Sequence, residues 1–228
     1  MSTKNSDSLA LPGLDGSNLL AFLAAVGTLR TLALAWPDSE VRMHWERGAG
    51  WNPVLSARRS LTKESVVEAL HSQLGQMDKY PAFTVADDLK IPPDQFRHYA
   101  VQAVQHAHQT GDRTWADFAA AFGCDAISEE NVIQDTAFRT MSGAGHQHFL
   151  KTMRELIELT EPEHLRKALF EPWGYEDDRP SLRWDPEDDR RYALRWSDPS
   201  GDPIRTVRGA NRLAIEALPL FPYRPGRR

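Results

Sequence analysis

Apolar and polar positions along this chain repeat with two different periods, and the switches between them mark out its elements. The short apolar run Leu9–Leu14 contains Pro12-Gly13 and is followed by Asp15-Gly16, the pattern of a brief strand closed by turns. Ser17 or Asn18 then offers a side-chain cap for a helix from Leu19 to about Leu34. That helix is apolar nearly all round, but it is short for a membrane span and carries Arg30 between Thr28 and Thr31. A buried core helix is expected, with Ala24, Ala25 and Gly27 allowing another element to approach closely. Period-2 alternation over Val41–Trp45 and the run Trp51–Leu55, separated by Gly48 and Gly50, predict a hairpin leaning on it.

Helical spacing dominates the middle of the chain. Thr62 caps a helix to about Leu74, Pro92-Pro93-Asp94 opens Gln95–His108, and Thr114–Phe122 follows the break at Gly111. Thr136–Met141 reads as a strand and Gly143–Gly145 as a tight turn. His146–Leu159 reads as a helix with Phe149, Leu150, Met153, Leu156 and Ile157 on one face. Pro162–Phe170 is a further short helix. Leu182-Arg183-Trp184-Asp185-Pro186 is then echoed by Leu194-Arg195-Trp196-Ser197-Asp198-Pro199 across the charged turn Glu187–Arg191. The echo predicts one β-hairpin, with Leu and Trp on the inward face and Arg on the other. A last helix from about Ala210 to Ala217 precedes an extended tail marked by Pro219, Pro222 and Pro225.

These elements describe an α+β fold in which several helices pack on short antiparallel strands and hairpins. The expected organisation is a disordered N-terminus over 1–8, one domain over 9–222 and a basic tail over 223–228. Apart from the hairpin echo, no internal repeat is visible.

Composition changes this picture little. An apolar fraction of 41% and a charged fraction of 26% are those of an ordinary soluble domain. The single cysteine, Cys124, excludes an intramolecular disulfide in this sequence and fits a cytoplasmic setting. With no His or Cys cluster around it, a small buried filler is expected. Met1–Ser8 is polar, so no secretory leader is expected.

Charge is more informative in its placement than in its net value of −5. Residues 171–202 hold ten acids against five arginines, and residues 203–228 hold six arginines against one acid. Every Lys or Arg after Lys167 is arginine, which suits planar contacts with carboxylate, phosphate or aromatic groups. The two segments could equally pair with each other.

Candidate chemistry is sparse. The loop Ser142–His148 places Gly143 and Gly145 between a strand and a helix start, where backbone amides can approach an anion. The alternative is a plain strand-to-helix turn, since neither a Walker A loop nor a dinucleotide-binding fingerprint is present. His146 and His148 could chelate a metal only with a third ligand that the sequence does not supply nearby. His98 and His106 share a helical face and read as a polar stripe. Asp87-Asp88 and Asp177-Asp178 are adjacent pairs whose side chains diverge. No triad order or nucleophile elbow appears, and neither a cofactor nor catalysis is expected. Arg208, Asn211 and Arg212 gather at the start of the last helix, suited to phosphate or carboxylate contacts, or else to capping a core helix.

Several blocks carry a family likeness. Leu11–Asn18 followed by Ala21–Leu29 resembles the opening of CRISPR-associated proteins from type I-G systems. Trp51–Leu55, Ser142–Leu150, Ala168–Trp173, the Trp hairpin and Gly209–Pro222 extend the resemblance over most of the chain. Together they are similar to a small family encoded beside type I-G effector genes and named as an extension of the helicase–nuclease. Leu19 departs from the pattern, standing where the family has proline.

The resemblance implies a setting more than a chemistry: an RNA-guided complex that opens DNA and recruits a helicase–nuclease. It carries over no catalytic residue. The expected function is therefore a non-catalytic accessory that binds the effector complex or helicase–nuclease, with DNA or RNA as a further ligand. The expected surfaces are Gly143, Gly145, His146 and His148; Arg183, Arg190, Arg191 and Arg195; and Arg208, Asn211 and Arg212. Two other readings stay open: a metal-dependent hydrolase on His146 and His148, and a purely structural, oligomerising protein.

Overall fold

The first helix, α1 (Leu19–Ala35), starts where the Asn18 side chain accepts the Ala21 amide at 3.2 Å, which identifies Asn18 as the cap. Its interior polar residues are satisfied within the helix, Thr28 Oγ1 donating to Ala24 O and Thr31 Oγ1 to Gly27 O, both at 2.8 Å. These coordinates are a computed structural model that describes residues 7–76, 81–127, 131–140, 148–186 and 205–225. Among the described residues no helix is long and apolar enough to cross a membrane.

Strand β1 (Asp7–Ala10), strand β2 (Arg42–Arg47) and strand β3 (Trp51–Ala57) form an antiparallel sheet in the order β1-β3-β2. Leu9, Leu55 and Met43 align across it, and Trp45 stacks on Phe22 of α1 with ring centroids 5.9 Å apart. The sheet therefore rests on α1, as the hairpin pattern predicted. Asp15 ties the turn after β1 to the start of β3: its Oδ1 accepts the amides of Ser17 and Trp51 at 3.0 and 3.1 Å. Those backbone hydrogen bonds favour the charged form and hold its carboxyl below the usual carboxylate range.

Thr62 and Ser65 form a reciprocal capping box at the start of α2 (Lys63–Leu74). The remaining helices are α3 (Pro93–Thr110), α4 (Thr114–Phe122), α5 (Phe149–Leu159), α6 (Pro162–Phe170) and α7 (Arg208–Ile215). Helix α7 is buried from Gly209 to Ile215 and packs on α1, α5 and α6, while α2 joins α1 to α6 and α3 pairs with α4. The fold is α+β, with one continuous cluster of buried residues running from Leu11 to Leu218.

The structure revises several expectations. Asp7 and Ser8, assigned to the N-terminal extension, pair with Ala57 and Ser56. Tyr223, assigned to the tail, donates its amide to Ala120 O at 2.8 Å. A second sheet of β4 (Gly123–Ile127) and β5 (Ile133–Asp135) was not anticipated. The strand expected over Thr136–Met141 is instead a turn through residue 140, because Thr136 Oγ1 accepts the Phe138 amide and Thr136 O accepts that of Arg139.

The first arm of the expected Trp hairpin is not a strand either. Arg183 sits in the left-handed region at φ 62°, and the Leu182 amide goes to the Asn211 side chain instead of a strand partner. Leu182 and Trp184 are buried nonetheless, Trp184 donating from Nε1 to Phe138 O at 2.7 Å and meeting Phe138 and Phe149 edge-on. The turn Glu187–Arg191 and the second arm Leu194–Pro199 lie outside the described residues.

Candidate functional site

Of the residues that the sequence grouped as binding surfaces, His148, Arg183, Arg208, Asn211 and Arg212 are among the described residues. Gly143, Gly145 and His146 lie outside the described residues, as do Arg190, Arg191 and Arg195. His148 is the half-buried residue before α5, and its side chain makes no cap bond. Phe149 instead donates its amide to Asp88 Oδ1 at 3.4 Å, so a carboxylate of the chain already stands at that helix start. Arg183 is half-buried.

The cluster Arg208, Asn211 and Arg212 is the main correction. Asn211 and Arg212 are interior residues, 0% and 2% exposed, and form no part of an open basic surface. Asn211 Oδ1 accepts the Leu182 amide at 2.9 Å, while its Nδ2 donates to Thr206 Oγ1 and Val207 O. One side chain thus joins the segment around Trp184 to the start of α7. Asn211→Ala leaves the buried Leu182 amide unpaired and is expected to cost about 2–3 kcal/mol in urea denaturation.

Arg208 reaches the edge of the fold but is already engaged. Its amide donates to Asp177 Oδ2 at 2.8 Å, and its Nη1 lies 3.1 Å from His164 Nε2. Nearby, Arg205 pairs with Asp178 at 3.1 Å. Here the acidic and basic segments meet within one chain. The carboxylate pairs diverge as their spacing implied: Asp88 takes Arg139 while Asp87 takes Arg154. His98 is exposed on α3, and His106 packs on Trp115 with centroids 5.9 Å apart. Among the described residues no three of His, Cys, Asp and Glu converge where a metal could sit.

One concave surface was missed by the sequence reading. A groove of about 470 Å³ runs between α3 and α4 and ends at β4. Phe96, Ala100, Val101 and Val104 line one wall, Ala116, Ala119 and Ala120 the other, and Cys124 the end. Val101 and Val104 are 47% and 49% exposed. The groove exists because α4 presents only alanines to α3 here, leaving space that larger side chains would fill. At the rim, Arg97 Nε meets Asp125 Oδ2 at 2.7 Å, so the charged groups there neutralise each other.

Cys124, expected as a buried filler, is only half-buried. Tyr223 packs beside it, and burial pushes its phenol pKa up, with Cys124 and Asp135 adding to the shift. The sequence did hold a signal for the groove. Phe96, Tyr99 and Ala103 already make a buried stripe on α3, so Val101 and Val104 are apolar residues in excess of it.

Compared with known proteins, the chain matches no family model, no curated protein and no solved structure.

Proposed function

We propose that this protein is a non-catalytic accessory that docks a partner protein in the α3/α4 groove, in the type I-G CRISPR setting that its sequence resembles. The observation that carries this reading is the groove itself, with two half-exposed valines on one of its walls. An apolar groove along a helix suits the apolar face of a partner helix, anchored by a few large side chains. The partner is a segment of the effector complex or of the helicase–nuclease.

A protein partner is favoured over nucleic acid by how the described arginines are used. Arg97, Arg139, Arg154, Arg166 and Arg205 each pair with a carboxylate of the chain, which leaves those charges committed. Phosphate binding draws on cations free to release counterions.

The test is co-purification with the reconstituted effector complex and with the helicase–nuclease. Val101→Asp combined with Val104→Asp is expected to weaken capture by about tenfold or more. Both positions are exposed, so the melting temperature should stay within a few degrees of the parent. Capture that survives the double change removes the groove from the reading. Capture by neither partner removes the reading altogether.

A further inference from the structure

A buried charge imbalance at α7 marks a second concave site. Glu216, 2% exposed, accepts Arg30 Nη1 on Oε2 and Arg212 Nη1 on Oε1, both at 2.8 Å. Two guanidinium groups therefore share one carboxylate, leaving one positive charge in excess in the interior. Arg30 spreads part of its charge over the Phe118 ring, 5.7 Å from the centroid. Arg212 has no such outlet, and its Nη2 is buried without a hydrogen-bond partner. A buried cation left uncompensated is costly, so the site calls for an acceptor from outside the chain.

Arg212 also lines a pocket of about 320 Å³ between the C-terminal ends of α2 and α5 and the start of α6. Leu165 beside it is buried, whereas His71, Glu158 and Glu161 are exposed lining residues. The pocket thus carries a cation and an apolar wall at its inner end, with two carboxylates at its mouth. A simple anion satisfies Arg212 but is repelled at the mouth, and a simple cation meets the reverse. A ligand carrying both charges a few bonds apart matches both ends.

We propose that this pocket binds a small zwitterion of the amino-acid type, its carboxylate toward Arg212 and its ammonium toward Glu158 and Glu161. The volume limits it to a compact molecule.

The test is ligand-observed NMR titration of the full chain with glycine, β-alanine and 4-aminobutyrate, alongside acetate and methylammonium. At least one zwitterion is expected to bind about tenfold more tightly than either single-charge probe. Glu158→Gln combined with Glu161→Gln, both at exposed positions, is expected to abolish that preference while leaving acetate binding intact. Acetate binding as tightly as every zwitterion would overturn the proposal. So would a preference that survives the double change, or no binding by any probe. None of these outcomes bears on the α3/α4 groove, which lies elsewhere on the molecule.

Discussion

Replacing Gly27 by alanine is expected to cost about 3 kcal/mol or more and to remove much of the cooperativity of unfolding. In an isolated helix the same change would help, since glycine in a helix interior is about 1 kcal/mol worse than alanine. Packing reverses the sign. A Cβ on Gly27 would stand 1.8 Å from Leu213 O and 2.8 Å from its carbonyl carbon. Both are backbone atoms of α7 and cannot rotate away, so α1 and α7 would have to separate. That separation opens the most extensive helix contact of the fold and uncovers Leu20, Leu23 and Leu213, all now fully buried. Urea denaturation followed by far-UV circular dichroism measures the loss. Gly111 is the control, with φ at +75° and open space where its Cβ would go. Alanine there carries only the left-handed backbone penalty, about 1 kcal/mol. A Gly27 variant no worse than the Gly111 variant would show that the two helices are not in backbone contact.

The second large effect is expected at Glu216, and it is asymmetric. Glu216→Ala leaves Arg30 and Arg212 buried as like charges and should cost about 3–5 kcal/mol. Arg212→Met removes the excess cation instead, leaves the Arg30–Glu216 pair neutral and keeps the volume of the stem. Its cost should be far smaller, about 1 kcal/mol, because the lost ion pair is offset by relief of an uncompensated charge. Equal costs at the two positions would mean that the three charges act as independent pairs. A double-mutant cycle across Arg212 and Glu216 gives the coupling directly.

How much of this was legible depended on whether a residue's partner was local. The cap at Thr62 was readable, and that before α1 was narrowed to Ser17 or Asn18, because each bond closes within a few residues. The close approach at Gly27 was also foreseeable from the small residues around it, though its partner α7 was not. The strand β4 escaped because Gly123 follows Phe122 directly, with no turn residues between helix and strand. Thr136 was misread because a strand was expected where its own hydroxyl closes a turn.

The basic cluster on α7 failed for a more general reason. Arg208, Asn211 and Arg212 look like a surface until their partners are known, and those partners lie far away in sequence or at the end of the same helix. Asn211 serves Leu182, Arg212 serves Glu216, and Arg208 serves Asp177. The tryptophan echo failed similarly: the burial of Leu182 and Trp184 was read correctly, but a left-handed Arg183 breaks the strand that the alternation implied.

The meeting of α1 with α7 has a consequence for how the chain reaches its native state. The two elements that share the deepest contact are separated by almost the whole sequence; Arg30 and Glu216 stand 186 positions apart. Closing so long a loop is entropically slow, and folding rates fall as such distant pairings come to dominate. During synthesis the leucine-rich first helix leaves the ribosome long before the segment that covers it has been made. A nascent chain not yet extended to Arg208 therefore leaves the α7-facing side of this apolar helix unshielded, a natural substrate for holding chaperones and a point at which premature termination exposes the product to proteolysis.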